Sequence, residues 1–87
     1  MTREDFIATM KMIDAYYLDW KFDFSDKIQV ETWYQILSDA MDFTMLKKVV
    51  NLWITRNDTG PNSPRDLRKI QAELKLKAMI NEGENPQ

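Results

Sequence analysis

One short segment, residues 58–66, limits how this chain can fold. It reads Asp-Thr-Gly-Pro-Asn-Ser-Pro-Arg-Asp and puts glycine and proline between two segments with helical periodicity, which makes it the clearest break in the sequence. Ser63 suits an N-cap, Pro64 suits the first position of a helix, and Asp66 is placed to reach back to the cap. Gly60 suits a positive φ after the preceding helix. The segment therefore predicts one helix ending before it and a last helix starting at Pro64.

Composition excludes several classes of chemistry. The 87 residues include no cysteine and no histidine. Disulfides, thiolate metal sites and cysteine nucleophiles are thereby excluded, and the commonest general base is absent. With no disulfides, we expect a protein of a reducing cytoplasm. The chain also lacks the long apolar run of a membrane span and the continuous apolar stretch of a signal peptide.

Charge is unevenly distributed along the chain. Residues 1–63 carry seven Lys/Arg and ten Asp/Glu, whereas residues 64–82 carry five Lys/Arg and three Asp/Glu. The acidic body disfavours non-specific binding of nucleic acid, which depends on neutralising phosphates. The basic last helix leaves room for a small contact only, so we expect no direct nucleic-acid partner.

Three amphipathic helices are predicted before the break, because apolar residues recur at spacings of three and four. The first, capped by Thr2, is predicted to run for about five turns. Its stripe consists of Phe6, Met10, Ile13, Tyr17 and Trp20. The second is capped by Ser25 or Asp26, and its apolar face consists of Ile28, Trp33, Ile36 and Leu37. A connection around residues 38–42 leads to the third, capped by Asp42 or Thr44, with the stripe Leu46, Val49, Val50, Trp53 and Ile54.

The fourth helix is predicted from Pro64 to Met79 or Glu82. Its first half has a clear apolar face, but the later apolar residues leave that line, so we expect the distal half to protrude. The prediction is an all-α fold, a compact bundle of four helices, with a single domain over residues 1–82 and a flexible tail over residues 83–87. The expected core residues are Trp20, Trp33, Leu37, Val50, Trp53, Leu67 and Ile70.

No catalytic constellation is evident. The densest carboxylates are Asp14, Asp19, Asp23 and Asp26, and they lack the spacing of a calcium loop, so a solvated surface is the simpler interpretation. With only two glycines, the chain has no glycine-rich phosphate loop. We therefore predict a protein that is not an enzyme and that uses no cofactor.

A helix-turn-helix DNA reader is the main alternative from the residues alone. Helices three and four are joined by a turn, and Arg65, Arg68 and Lys69 near the start of the fourth helix would touch phosphates. The joining segment of about six residues is longer than the usual three or four. The charge balance favours a basic solvated face over a reading helix.

From Trp33 to Leu74 the sequence resembles a known family. The pattern begins with Trp-Tyr-x-x-Leu at residues 33–37 and continues with an aspartate, an aromatic residue, an aliphatic helix and a proline-capped helix. The matching positions are Asp42, Phe43, Leu46, Val49, Val50, Ile54, Ser63, Pro64, Asp66, Leu67 and Ile70. In this the chain is similar to the small helicase loader/inhibitor proteins of bacteriophages that infect Gram-positive bacteria, and the resemblance covers roughly residues 4–75.

The resemblance implies an all-helical, non-enzymatic domain. Proteins of that family bind the replicative DnaB-type helicase, block its activity, and help deliver it to a phage origin through an origin-binding partner. The expected partners are thus this helicase or its host loader, and a phage origin-binding protein. The family also has a longer, flexible C-terminal region that contributes to helicase contact, whereas little sequence follows the fourth helix here.

The expected partner-contact surface is the last helix, where basic residues accompany an apolar strip. Its predicted members are Arg68, Lys69, Lys75, Leu76, Lys77, Met79 and Ile80. Laying such a helix in a partner's groove is a common mode of recognition. A self-association surface or a frayed helix explains the same strip, and a DNA-binding regulator or a phage assembly adaptor remains an alternative function.

Overall fold

The computed structural model describes the backbone of residues 1–84 and the side chains of residues 1–80. The described part of the chain forms four helices and no strand: α1 (Arg3–Tyr16), α2 (Lys27–Ala40), α3 (Phe43–Arg56) and α4 (Pro64–Glu84). The predicted all-α bundle is therefore confirmed. Of the predicted tail, residues 83 and 84 belong to α4, and residues 85–87 lie outside the described residues.

Local sequence explains where the first three helices begin. Thr2 Oγ1 accepts a hydrogen bond from the Asp5 amide at 3.0 Å, as predicted. Of the two candidates for α2, Asp26 is the cap, because its carboxylate accepts from the amides of Ile28 and Gln29 at 3.1 Å. Asp42 caps α3 in the same way.

The core lies where the four helices meet. α3 packs against α1 and α4, while α2 packs against α4. Residues of every helix contribute to one buried cluster: Phe6, Met10, Ile13, Tyr17, Phe22, Trp33, Leu37, Met41, Leu46, Val49, Val50, Leu67 and Ile70. Each fully buried large side chain contributes about 1.5–3 kcal/mol of hydrophobic stabilisation.

Two expected core residues are buried only in part. Trp20 and Trp53 pack against the cluster but keep some exposure. Their indole N–H groups must find acceptors, and both reach backbone carbonyls at the edge of the bundle. The predicted apolar face of α2 also needs correcting, since Ile28 is 80% exposed.

The first helix is shorter than predicted. It ends at Tyr16 after 14 residues, and Tyr17 adopts an extended conformation with φ −107° and ψ 99°. Trp20 therefore lies in the connection that follows, where its ring stacks on Phe22 with centroids 5.0 Å apart. Phe22 in turn meets Trp33 edge-on at 5.1 Å. Trp20 thus belongs to an aromatic cluster and Tyr17 donates to the Asn57 carbonyl, so neither residue continues the helix into a fifth turn. The connection between α2 and α3 is also shorter than predicted, and consists of residues 41–42.

Candidate protein-contact surface on the last helix

The loop over residues 57–63 sets the starting point of α4. Three aromatic side chains donate to alternate carbonyls of this loop: the Tyr17 hydroxyl to Asn57, the Trp53 indole to Thr59 and the Trp20 indole to Pro61, each at 2.8 Å. Tyr17 and Trp20 belong to the α1–α2 connection and Trp53 to α3, so these hydrogen bonds fix the loop against both.

Gly60 has a different role from the predicted one. Its φ is not positive. Instead it lies directly under the Trp20 ring, and a Cβ built on it would come within 2.7 Å of Trp20 Cγ. Glycine is thus required here by the close approach of an indole, and not by a left-handed backbone. The helix before it ends at Arg56, with Asn57 as an extended C-cap.

The first turn of α4 is stabilised by Asp66. The predicted reach backwards occurs, but the carboxylate accepts from the Asn62 amide at 2.8 Å, one residue before the expected cap. The Ser63 carbonyl accepts from the Asp66 amide at 3.1 Å. These contacts satisfy groups that a helix start otherwise leaves unpaired.

Two polar contacts attach the middle of α4 to the bundle. Buried Gln71 donates to the Ala40 carbonyl at the end of α2, at 2.9 Å. Arg56, in the last turn of α3, forms a two-pronged pair with Glu73, with nitrogen–oxygen distances of 3.2 and 2.9 Å. The hydrogen bond from Arg56 lowers the pKa of the Glu73 carboxyl below its ordinary value, with a further contribution from the charge of Lys77.

Sequence reasoning missed Gln71 although a signal was present. It lies four residues after Leu67 and three before Leu74, so the helical spacing places it on the core face. Because its side chain is polar, the apolar pattern did not identify Gln71 as a buried residue. It is buried because an open carbonyl at the C-terminus of α2 requires a donor.

Beyond Leu74 the helix leaves the core. Every described side chain from residue 75 to residue 80 is exposed, including Ala78, although it lies four residues after Leu74 in line with the core face. Leu76 is 57% exposed, Met79 67% and Ile80 47%. With exposed Ala72 they make an apolar face that we call the α4 strip: Ala72, Leu76, Met79 and Ile80.

The α4 strip is a second face of the helix, not a continuation of the first. At about 100° per residue, its members fall within about 100° of one another and point about 170° away from Leu67, Ile70 and Leu74. Nothing in the described part of the chain packs on it. Exposed apolar faces of this kind mark contact surfaces.

Most of the predicted contact residues share that face. Arg68, Lys69 and Lys75 are exposed and border the α4 strip, together with Arg65. Lys77 is exposed on the flank beyond Ile80, about 60° farther round the helix, with its ammonium 3.8 Å from the Glu73 carboxylate. The surface is thus an apolar strip with a basic border on its N-terminal half.

The acidic residues considered for chemistry serve local structure or face solvent. Asp26 caps α2, and Asp23 accepts hydrogen bonds from the Ser25 amide and hydroxyl at 2.9 and 2.6 Å. These bonds lower the pKa of the Asp23 carboxyl. Asp14 and Asp19 are exposed. Among the side chains of residues 1–80, no three acidic groups come together as a metal site.

Comparisons of this chain with protein-family models, with curated proteins and with solved structures give no match. The helices that the structure describes include none with the length and apolar character needed to cross a membrane. The family resemblance therefore depends on the sequence pattern, and the contact surface depends on the geometry of α4.

Proposed function

We propose that this chain is a protein-binding accessory factor of phage DNA replication. It contacts the replicative DnaB-type helicase, or the host loader of that helicase, through the α4 strip and its basic border. The observation that carries the contact surface is the exposure of three large apolar side chains on the distal half of α4. The sequence resemblance suggests the partner.

The recognition would follow the physics of an amphipathic helix in a groove. Residues 72, 76, 79 and 80 present anchors on one face, the spacing such grooves accept. Arg68, Lys69 and Lys75 favour a partner groove with an acidic rim, which directs association and selects the partner. By this contact the chain inhibits the helicase, delivers it to the phage origin with an origin-binding protein, or does both.

A binding measurement with purified helicase in the presence of ATP tests the proposal. Leu76→Ser/Ile80→Ser should abolish binding while the circular dichroism spectrum stays that of the wild type, because neither side chain is in the core. Ile28→Ser is a matched control, since Ile28 is an exposed apolar residue on a different helix. Unchanged binding by the double variant would remove the α4 strip from the proposal.

Capture from host lysate, followed by mass spectrometry, tests the partner separately. Recovery of the replicative helicase or its loader by the wild type, and not by the double variant, supports the proposal. Recovery of neither would leave the resemblance as a shared helical pattern.

A second candidate, a small DNA-binding regulator, is favoured by one observation. Arg65, Arg68 and Lys69 are exposed on the first turns of α4. Binding of this kind would weaken steeply with salt, because it releases counterions from phosphates. A titration with duplex DNA at two salt concentrations separates it from the first proposal. A phage assembly adaptor is a third candidate, and would not bind helicase.

A further inference from the structure

A second exposed apolar face lies on α1. Its members are Ala8, Met12, Ala15 and Tyr16, which we call the α1 strip. Met12 is 49% exposed and Tyr16 61%. At about 100° per residue the strip spans about 100° and points about 145° away from the stripe of Phe6, Met10 and Ile13 that enters the core. Nothing in the described chain covers it.

The two strips have the same spacing. The α1 strip occupies positions 8, 12, 15 and 16, and the α4 strip occupies positions 72, 76, 79 and 80. Adding 64 to the number of each residue in the α1 strip gives the number of the corresponding residue in the α4 strip. Laid side by side in parallel, the helices pair Ala8 with Ala72 and then align the large residues in the order Met12 with Leu76 and Tyr16 with Ile80. The small pair lets the two helices approach closely at one end.

Charge matches in the same register. One turn before each strip, α1 carries Glu4 and Asp5, and α4 carries Arg68 and Lys69 at the same level. Because opposite flanks meet when parallel helices face each other, Glu4 lies opposite Lys69 and Asp5 lies opposite Arg68. Glu4, Arg68 and Lys69 are exposed, and Asp5 is partly so. Opposite charges at the edge of an apolar contact fix its register and direct association. Two copies of the α4 strip, by contrast, would bring their basic borders together.

We propose that the α4 strip of one copy of this chain packs in parallel on the α1 strip of a second copy, with Glu4 beside Lys69 and Asp5 beside Arg68. The inference does not depend on the proposed helicase contact, because it concerns the purified chain alone. Both contacts use the α4 strip, so a second copy and another partner exclude each other.

Sedimentation equilibrium of the purified chain over a wide concentration range measures the self-association. The α4 variant Leu76→Ser/Ile80→Ser and the α1 variant Met12→Ser/Tyr16→Ser should each weaken it by about tenfold or more, as the loss of apolar anchors at an interface does. Ile28→Ser should leave it unchanged. A wild-type chain that stays monomeric at all concentrations would overturn the proposal.

Mixing the two variants distinguishes the proposed pairing from its alternatives. Neither variant can associate with itself, since each lacks one strip, but the mixture retains one intact pair and should form heterodimers. If the α1 variant associates with itself as the wild type does, the contact joins two copies of α4 and the proposal is wrong. If the mixture does not associate, it is also wrong.

Charge exchange tests the register. Glu4→Lys alone and Lys69→Glu alone should each weaken association severalfold, and the chain that carries both changes should recover it. If the two residues lay far apart, the losses of association caused by the two single changes would simply add in the double variant. Additive losses in the double variant would overturn the register.

Discussion

At the scale of single residues, the close contact between Gly60 and Trp20 leaves no room for a larger side chain at position 60. Trp20 both covers Gly60 and donates to the next carbonyl along, that of Pro61. A methyl group on residue 60 must displace the indole, and the displacement would also strain or break that hydrogen bond. The two effects act on the same short segment, so a small substitution there should destabilise the start of α4.

We expect Gly60→Ala to destabilise the fold by about 1–3 kcal/mol, the usual cost of overpacking. Urea denaturation followed by circular dichroism measures it. In a Trp20→Ala background the same substitution should cost little, because the ring that it strikes is gone. Equal costs in both backgrounds would show that Gly60 is needed for another reason.

The ion pair between Arg3 and Glu31 gives a second residue-scale prediction. Arg3 donates to both carboxylate oxygens of Glu31 at 3.0 and 2.7 Å, and Gln35 donates at 2.8 Å. These hydrogen bonds lower the pKa of Glu31 from its ordinary 4.5 to about 2. The carboxylate therefore stabilises the fold fully above pH 4.5, and the contribution disappears as the pH falls towards 2.

Glu31→Gln should accordingly be slightly less stable than the wild type at pH 7, and the difference should vanish near pH 2. Both partners are well exposed, so the difference stays small and shrinks with added salt. Urea denaturation at the two pH values measures it. Arg3→Gln should produce the same loss, and the double variant should lose no more. A difference that persists unchanged at pH 2 would contradict the assignment.

At the scale of elements, the two halves of α4 should respond differently to the same kind of substitution. Leu67 is fully buried between helices, whereas Leu76 is mostly exposed on the α4 strip. Leu67→Ala should cost about 2–5 kcal/mol, because it leaves a cavity. Leu76→Ala should stay within about 0.5 kcal/mol. Thermal and urea denaturation give both values, and a large loss from Leu76→Ala would mean that the distal half belongs to the core.

Helix positions were predictable from sequence because apolar spacing and capping residues coincide in α2 and α3. Capping by Asp26 and Asp42 was read correctly as one of two choices in each case. The end of α1 was not predictable, since no glycine or proline marks it and Tyr17 and Trp20 continue the helical spacing. Their side chains are held by long-range contacts with residues 57 and 61, which no local pattern contains.

The contact surface was predictable in part, because helical spacing shows which apolar residues leave the core face. The departure of Leu76, Met79 and Ile80 from the core line is visible in the spacing, and their exposure agrees with the expected protrusion. Lys77 lies on the flank beyond Ile80, and its contact with Glu73 is a local pair between residues four apart on α4. The binding role of the surface remains a prediction.

At the scale of the whole molecule, stability should vary along the chain with packing. The molecule measures 51 × 26 × 17 Å, and α3 lies between α1 and α4. Amides in the middle of α3 should therefore exchange with solvent most slowly. Those of residues 75–80 should exchange fastest among the helical amides, because no tertiary contact buries their side chains. Hydrogen exchange read by NMR measures both, and equal protection along α4 would contradict the distinction between its halves.

The same exchange measurement gives a second readout of self-association. If the α4 strip packs on a second copy, protection of residues 75–80 and of the outer face of α1 should rise together with protein concentration. The amides of α3 should not change in that experiment, since neither strip lies on that helix. A rise at α4 without one at α1 would favour a contact between two copies of α4.

The three aromatic hydrogen bonds to residues 57, 59 and 61 also have a mechanical consequence. Ile80 lies 16 residues after Pro64, or about 24 Å along the axis at 1.5 Å per residue. A tilt of about 10° at the base of α4 would sweep its tip through about 4 Å, by the same geometry. The loop thus helps to set the direction of α4, together with the contacts of Gln71 and Glu73 farther along the helix. Substitutions at Tyr17, Trp20 or Trp53 should then change the direction in which the α4 strip points. They should therefore change its affinity for a binding partner without altering any residue of the strip.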